Sequence, residues 1–273
     1  MCRAIFAFAI LVLIYVCDAS KLRIINGDFV NSIEDYPFQA SFRYNSKHIC
    51  GGSVISKRYI LTAAHCIRFY DGTRRPEKLS SVRVGSLSQL SGGKVYKVEE
   101  FKINPLWMKL TSRIPAYGDM ALIKLKKDIV FSKKVQPIKL PTGKNYSLPD
   151  GSTVTLLGWG ITEDGEESDF LRSTKMQVHN VQECMKEYRE FLSGSKDEKV
   201  RETRFPHIRT ICLEGEGDFC HADSGGPVVD ENNVQVGIIS FNINCGSRSP
   251  VPSAATDVRK WLWWINQELS KKI

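Results

Sequence analysis

Residues 62–66 read Thr62-Ala63-Ala64-His65-Cys66 and place a histidine at the end of an apolar strand. Two other segments have a comparable form: Gly118-Asp119-Met120-Ala121-Leu122 places an aspartate before a strand, and Asp223-Ser224-Gly225-Gly226-Pro227 places a serine in a turn. Each is weak evidence alone, since a lone histidine is more often a core or surface residue and Asp-Ser-Gly-Gly is usually just a turn. Together, in the order His65, Asp119 and Ser224, they form a candidate set for nucleophilic catalysis.

Short stretches of β-branched and apolar residues, separated by Gly, Asn, Asp, Ser and Pro, surround these segments. They predict strands at 37–44, 48–53, 59–62, 94–98, 121–125, 153–159, 171–178 and 235–240. This pattern favours an all-β sandwich or barrel. From residue 257 the period becomes helical, with Asp257 as a candidate N-cap and one apolar face formed by Val258, Trp261, Leu262, Ile265 and Leu269. The segment 133–152 is the best candidate for a connection between two halves of similar size.

The composition excludes several classes of protein. With 273 residues, of which 42% are hydrophobic and 25% charged, the chain is neither a disordered tail nor a multi-pass membrane protein. The net charge of +8 would permit nucleic-acid, heparin or membrane-surface partners. However, the basic residues are scattered along the sequence, and we interpret the charge as solvated surface. The absence of a Cys-x-x-Cys pair argues against a zinc ribbon or a thioredoxin-like site.

Residues 1–19 have the form of a secretory signal peptide. Arg3 supplies a basic start, residues 4–17 are apolar, and Ala19 suits signal peptidase. The apolar run is shorter than the about 20 residues that a membrane-spanning helix needs, so we expect a secreted, extracellular protein without a membrane anchor. Cleavage would remove Cys2 and Cys17 and leave six cysteines, for which three disulfides are the default expectation. From these residues alone, all fifteen pairings stay open.

From Ile24 to the terminal helix the sequence resembles the chymotrypsin-like (trypsin-type) secreted serine endopeptidases. The resemblance is specific because five segments stand in the family's order: 24–27 (Ile-Ile-Asn-Gly), 61–66 (Leu-Thr-Ala-Ala-His-Cys), 119–125 (Asp-Met-Ala-Leu-Ile-Lys-Leu), 158–160 (Gly-Trp-Gly) and 223–227 (Asp-Ser-Gly-Gly-Pro). It implies an all-β fold of two six-stranded antiparallel β-barrels with a C-terminal α-helix and the active site between the barrels. The implied bounds are about 24–135, about 136–256 and about 257–269. It also implies the disulfides Cys50–Cys66, Cys184–Cys212 and Cys220–Cys245.

The resemblance implies a role for each candidate residue. His65 would take the Ser224 proton as general base, and Asp119 would orient the imidazole. Ser240, in the substrate-binding set, would brace Asp119. The backbone N–H groups of Ala222 and Ser224 would form the oxyanion hole. No cofactor is implied. Ser86 stands where the family's calcium loop has glutamate, so we expect no metal.

The resemblance also implies activation by proteolysis. Residues 20–23 would be a short propeptide, and a trypsin-like protease cutting after Arg23 would free an ammonium at Ile24. In the family this ammonium pairs with the aspartate before the nucleophile, here Asp223. A buried charge without its partner costs several kcal/mol, which is enough for a switch.

Asp218 occupies the position that makes trypsin-like members prefer Lys or Arg at P1, the substrate residue before the cleaved bond. Phe219, Asn242 and Ser253 stand where trypsins carry smaller residues and should narrow the pocket. Because Ala255 replaces a tyrosine at the back of the pocket, our hypothesis is that Phe219 fills the vacated volume.

Ala222 replaces a glycine of the oxyanion hole, where the backbone can need a conformation that disfavours a Cβ atom. We therefore predict weaker catalysis than in a trypsin, or an inactive resting loop that substrate reorganises, and poorer binding of protein inhibitors.

Two further features lie in connecting segments. Asn145-Tyr146-Ser147 is a sequon for glycosylation. The charged insert between Cys184 and Cys212 is long for a trypsin; we favour a solvated loop, with an exosite for macromolecular substrates as the alternative.

The function predicted is a secreted serine endopeptidase acting after Lys or Arg. Its expected partners are protein or peptide substrates, an activating trypsin-like protease and protein protease inhibitors, and a monomer is the family default. The alternative is a weakly active or inactive homologue that acts mainly by binding. A nucleic-acid-binding protein is disfavoured because no basic stripe with stacking aromatics is present.

Overall fold

The computed structural model describes residues 27–69, 72–110, 117–142, 146–162, 164–196, 198, 207–245 and 249–271, and of 3–4, 15–16 and 108–110 the backbone only. Two short strands, β1 (Arg3–Ala4) and β2 (Tyr15–Val16), pair antiparallel within the predicted signal peptide. Arg23, Ile24 and Asn145 lie outside the described residues.

Six antiparallel strands close the first barrel in the order β4-β5-β6-β9-β8-β7. They are β4 (Gln39–Tyr44), β5 (Lys47–Val54), β6 (Tyr59–Thr62), β7 (Ser80–Val84), β8 (Lys94–Ile103) and β9 (Ala121–Leu125). Pairing of β7 with β4 completes the ring. The alternation expected of strands appears in β7, where every second residue is buried.

The second barrel consists of β10 (Thr153–Gly158), β11 (Arg172–His179), β12 (Thr210–Glu214), β13 (Pro227–Asp230), β14 (Gln235–Phe241) and β15 (Ser253–Asp257). Its order is β10-β13-β14-β15-β12-β11, and the pairing of β10 with β11 closes it. The short strand β3 (Asp28–Phe29) joins the outer edge of β11. Two closed six-stranded barrels confirm the predicted fold class.

In the described part of the chain, helices are few and lie outside the barrels. They are α1 (Pro105–Leu110), α2 (Val181–Ser193), α3 (Leu262–Ser270) and the 3₁₀ turns Glu77–Leu79 and Val258–Lys260. The predicted N-cap Asp257 accepts from Arg259 N–H, but a 3₁₀ turn precedes α3. Although α3 follows the second barrel in sequence, its Trp264 and Ile265 pack into the core of the first. The C-terminal helix therefore packs the end of the chain, which follows the second barrel, against the first barrel.

The prediction of a solvated loop after Cys184 is wrong for the first part of that segment, which belongs to helix α2. Asn180 accepts hydrogen bonds from the N–H groups of Gln182 and Glu183, which caps the helix. Cys184 and Tyr188, one helical turn apart, are buried, whereas the charged side chains lie on the other faces.

Three disulfides are present among the described residues, with S–S distances of 1.99, 2.03 and 2.10 Å. They are Cys50–Cys66, Cys184–Cys212 and Cys220–Cys245, the pairs that the resemblance implies.

Candidate active site

The structure brings His65 and Asp119 into direct contact. His65 follows the end of β6, and Asp119 precedes β9, which pairs antiparallel with β6, so the same end of both strands carries them. Nδ1 of His65 lies 2.7 Å from Oδ2 of Asp119, and the backbone N–H of His65 donates to Oδ1 at 3.0 Å. Two contacts fix the orientation of the ring as well as its distance.

Asp119 is fully buried, and its partners keep it ionised. The hydroxyl of Ser240 donates to Oδ2 at 2.6 Å from the second barrel. Burial alone would raise the pKa of Asp119, but the charge of His65 and hydrogen bonds from His65 and Ser240 hold that pKa below its usual value. Burial likewise lowers the pKa of His65, but the charge and hydrogen bond of Asp119 outweigh burial and raise that pKa. The imidazole is therefore a stronger base than in water.

Three glycines bring the Ser224 loop against the first barrel. The N–H of Gly51 in β5 donates to the Ser224 carbonyl at 2.8 Å, and a Cβ atom on Gly51 would lie 2.7 Å from Cα of Gly226. Gly225 has a φ of +81°, and a Cβ atom there would lie 2.2 Å from Oγ1 of Thr62. Only glycine permits both the conformation and the approach. Ser224 is thereby fixed beside the end of β6.

The Cys50–Cys66 disulfide touches both His65 and Ser224. Sγ of Cys66 lies 3.9 Å from Nε2 of His65 and 3.5 Å from the Ser224 carbonyl oxygen. The disulfide is therefore a shared neighbour of Nε2, the ring nitrogen that faces away from Asp119, and of the Ser224 backbone. Atoms of Cys50, His65 and Cys66 also lie within 4.8 Å of one another. However, this group does not suit a metal, because both sulfurs are in the disulfide and only thiolates bind metal well.

Ala222, which the sequence predicts to be in an oxyanion hole, has the backbone conformation anticipated for a glycine. Its φ is +74°, in the left-handed region that costs an L-residue roughly 1–2 kcal/mol. His48 in β5 holds this loop, since its Nε2 lies 3.1 Å from the Ala222 carbonyl and its Nδ1 2.8 Å from Oγ of Ser41. Burial lowers the pKa of His48 to about 4, so the ring is neutral. A carbonyl only accepts, so Nε2 carries the proton and Nδ1 accepts from Ser41.

Asp218 is buried and surrounded by donors. Its Oδ1 accepts from the Phe219 N–H at 2.8 Å and from Oγ of Ser253 at 2.7 Å, and its Oδ2 accepts from Nδ2 of Asn242 at 3.4 Å. Asn242 also donates to the Phe219 carbonyl at 2.6 Å. Two of the three residues expected to narrow the pocket, Asn242 and Ser253, therefore donate to the Asp218 carboxylate through their side chains. The Phe219 side chain is 3% exposed and belongs to the same apolar cluster as Ala255, which is the packing that our volume hypothesis requires.

Asp223 is buried without a cationic partner among the described residues. The N–H groups of Gly160 and Cys220 donate to its carboxylate at 2.7 and 3.0 Å. Burial raises the pKa of Asp223 to about 7; these two donors lower it, and the charges of Asp218 and Glu167 raise it. Gly158 and Gly160 are needed here because a Cβ atom on either would lie within 2.4 Å of the carboxylate.

Sequence reasoning missed the residues that support the catalytic groups. His48 has no local signal in its strand, although the adjacent Gly51-Gly52 pair was a sign of close backbone approach. Gly118, directly before Asp119, has a φ of +66°, and a Cβ atom there would lie 2.9 Å from the Trp261 ring. Thr256 donates to the Asp119 carbonyl at 3.0 Å. These contacts join residues far apart in the sequence.

The structure has two closed barrels and a histidine hydrogen-bonded to a buried carboxylate, with the Ser224 loop held nearby. These features are typical of a serine hydrolase of the two-barrel class. A family profile described as "Trypsin" matches residues 24–265, and the chain belongs to this family. It is accordingly a serine endopeptidase, and proteases of this family act on protein substrates.

Named relatives agree with this assignment. The chain is 32% identical over 250 residues to Trypsin 5G1 of Aedes aegypti, covering 89% of this chain and 85% of the relative. It is 36% identical over 233 residues to Chymotrypsin-2 of Vespa crabro, covering 85% and 94%. The structure of neuropsin, a serine protease from mouse brain, superposes with a TM-score of 0.74 at 23% identity, covering 90% of this chain and all of that one, and supports the fold.

Proposed function

We propose that this endopeptidase cleaves peptide bonds through Ser224, His65 and Asp119. Ser224 attacks the carbonyl while Nε2 of His65 takes its proton; the same nitrogen later returns that proton to the leaving amine. Asp119 holds the Nδ1 proton and stabilises the imidazolium. The observation that carries this proposal is the 2.7 Å contact between His65 and a carboxylate that is 0% exposed.

The N–H groups of Ala222 and Ser224 stabilise the oxyanion of the tetrahedral intermediate. One such donor is worth roughly 3–4 kcal/mol in related hydrolases. The left-handed backbone at Ala222 and its carbonyl bond to His48 support this orientation.

We further propose cleavage after Lys or Arg. A basic P1 side chain would meet the carboxylate of Asp218 at the base of the pocket. Ser253 and Asn242 already donate to this carboxylate, and the Asn242 contact, at 3.4 Å, is the weaker. A substrate cation therefore displaces Asn242 more easily than Ser253. The preference for a basic P1 residue should be weaker than in a pocket whose aspartate accepts no hydrogen bonds from neighbouring side chains.

Activation by cleavage after Arg23 completes the proposal. The raised pKa of Asp223 marks a carboxylate that lacks a counter-charge among the described residues. An ammonium at Ile24 would supply that charge and stabilise the loop that carries Ala222 and Ser224. Secretion, through the signal peptide at 1–19, is part of the same proposal. No helix in the described part of the chain is both long and apolar enough to cross a bilayer.

Labelling with a fluorophosphonate probe tests the catalytic part. The chain cleaved after Arg23 should be labelled at Ser224, and Ser224→Ala and uncleaved chains should not. Cleaved protein with a correct N-terminus that stays unlabelled would favour the alternative, a homologue that acts by binding.

A P1 peptide library tests specificity in the same preparation. We expect cleavage after Arg and Lys, lost in Asp218→Ser and increased in Asn242→Gly. An unchanged profile in Asp218→Ser would refute the assignment of the pocket.

A further inference from the structure

We propose that one end of the first barrel binds linear sulfated polysaccharides. Seven exposed lysines form this surface, called here the lysine face: Lys57, Lys94, Lys97, Lys126, Lys127, Lys133 and Lys134. They come from four separate parts of the sequence, which is why they look scattered before the chain is folded.

Backbone contacts bring these parts together. The N–H of Lys126 donates to the Lys97 carbonyl at 2.9 Å, and the N–H of Ile129 donates to the Lys57 carbonyl at 2.8 Å. The N–H of Val130 donates to the Tyr96 hydroxyl at 3.3 Å. The strand that carries Lys94 and Lys97, the segment 126–130 and the residues before β6 therefore form one continuous surface.

Lys133 and Lys134 project from a tight turn beside this surface. Ser132 and Val135 exchange backbone hydrogen bonds of 2.9 and 3.1 Å and close the turn. A Cβ atom on Gly85 would lie 3.9 Å from Cβ of Lys134, and Gly85 directly follows Val84, which pairs with Lys94. The turn therefore lies against the end of β7 and β8.

The positive charge of the lysine face is not balanced locally. Its acidic neighbours, Glu99 and Asp128, are already paired: Glu99 with Arg58 at 2.6 Å and Lys124 at 2.8 Å, and Asp128 with Arg58 at 3.4 Å. None of the seven lysines makes an ion pair within the described residues. Because the whole chain has a net charge of +8, this face carries most of the excess.

The chemistry of the face favours a sulfated polysaccharide over other polyanions. Its exposed large apolar side chains are two valines, Val95 and Val130, which is too little for membrane insertion. Tyr96 is buried, with Nζ of Lys94 5.2 Å from the centre of its ring, so it cannot stack on a nucleic-acid base. What the face offers is seven exposed ammonium groups without ion-pair partners among the described residues, which suits a linear chain of repeated, permanently charged sulfates.

The lysine face is remote from the catalytic groups. Asp119 precedes β9 and Lys126 follows it, and a five-residue strand spans about 17 Å. In the same way, Lys57 precedes β6 and His65 follows it. A bound polysaccharide would thus hold the protease in place without covering Ser224, and the inference does not depend on the proposed catalytic chemistry.

Heparin binding by the full chain, measured against salt concentration, tests this inference. The test variant Lys97→Gln/Lys126→Gln/Lys133→Gln removes one charge from each of three parts of the face. The control Lys175→Gln/Lys186→Gln/Lys260→Gln removes the same charge from outside it. We expect the test variant to lose about 100-fold in affinity, roughly 5-fold per lysine, by analogy with anionic surfaces. By analogy with phosphate contacts, the slope of log Kd against log salt should fall by about three.

The control variant should bind heparin like the unchanged protein, and all three proteins should have the same Tm. Equal losses of heparin affinity in both variants would mean that heparin responds to the net charge of the protein and not to the lysine face, and this would overturn the proposal. The absence of any heparin binding would overturn it as well. Tighter binding to double-stranded DNA or phosphatidylserine vesicles than to heparin, lost in the test variant, would overturn the choice of partner.

Discussion

Replacing Ala222 with glycine tests whether the backbone of the proposed oxyanion hole is strained. Ala222 has a φ of +74°, which costs an L-residue roughly 1–2 kcal/mol that glycine does not pay. Rotation of the peptide bond before Ala222 would relieve this cost but turn its N–H away from the oxyanion. If the two orientations are otherwise equally populated, a cost of 1–2 kcal/mol lowers the population of the competent orientation about 3- to 15-fold.

Ala222→Gly should therefore raise kcat/KM by up to about 15-fold. The assay is hydrolysis of a peptide amide by the chain cleaved after Arg23, together with the Ki of a peptide aldehyde, whose adduct carries the oxyanion. The Ki should fall by the same factor as kcat/KM rises. The affinity of a small amidine, which would reach only the Asp218 pocket, should not change.

Asn233→Gly is the matched control because Asn233 is also left-handed, with a φ of +56°, but lies in the turn between β13 and β14. It should leave kcat/KM unchanged, whatever its effect on Tm. If Ala222→Gly changes neither kcat/KM nor the aldehyde Ki, the N–H is already fully oriented, and the reasoning about strain in the oxyanion hole is refuted.

Three more predictions concern groups around the site. His48→Ala should lower kcat/KM about 10-fold, since it removes a hydrogen bond worth about 1–1.5 kcal/mol from the Ala222 carbonyl; a KM effect alone would contradict this role. His65 must be neutral to act as a base, and Asp119 raises its pKa, so kcat/KM should increase with pH through a midpoint above 6.5. A kcat/KM profile whose acid limb has its midpoint at or below 6.5 would contradict this role of Asp119. Gly118→Ala should lower the free energy of unfolding by about 2–4 kcal/mol, through left-handed strain and the clash with Trp261, as measured by urea unfolding. Gly165→Ala is the control because Gly165 has a φ of +82° and a Cβ atom there would meet nothing within 4 Å, so it should show the cost of the strain alone. Equal losses of stability in the two variants would exclude the clash.

The strands that could be predicted are those with a strong local signal. Strand 59–62 and strand 121–125 were predicted with their observed bounds, because each is a short apolar run between turn residues. Strand β15, with the sequence Ser-Ala-Ala-Thr-Asp, was missed because small and polar residues give little strand signal. It is a strand because its neighbours β12 and β14 supply the hydrogen bonds.

Helix α2 was missed for a different reason. Its dense charges of both signs were interpreted as a solvated loop, and only two of its residues are buried. The signals of a helix were nevertheless present in the N-cap Asn180 and in the spacing of Cys184 and Tyr188. The disulfide from Cys184 to β12 and the Tyr188 hydroxyl, 2.6 Å from the Pro252 carbonyl, attach the helix to the second barrel.

The hydrogen bonds of Asp119, the proposed catalytic carboxylate, come from both halves of the molecule, which no local sequence signal could reveal. Asp119 lies at the end of the first barrel, yet the hydroxyls of Ser240 and Thr256 from the second barrel donate to its side chain and backbone. Trp261, just after the second barrel, packs against Gly118. A fully buried carboxylate stays ionised only with such donors, so the second barrel supplies part of the hydrogen bonding that holds the pKa of Asp119 down beside His65. The candidate site therefore lies where the two barrels meet, and if Asp119 acts as proposed, the Ser240 and Thr256 contacts that join the barrels also position it.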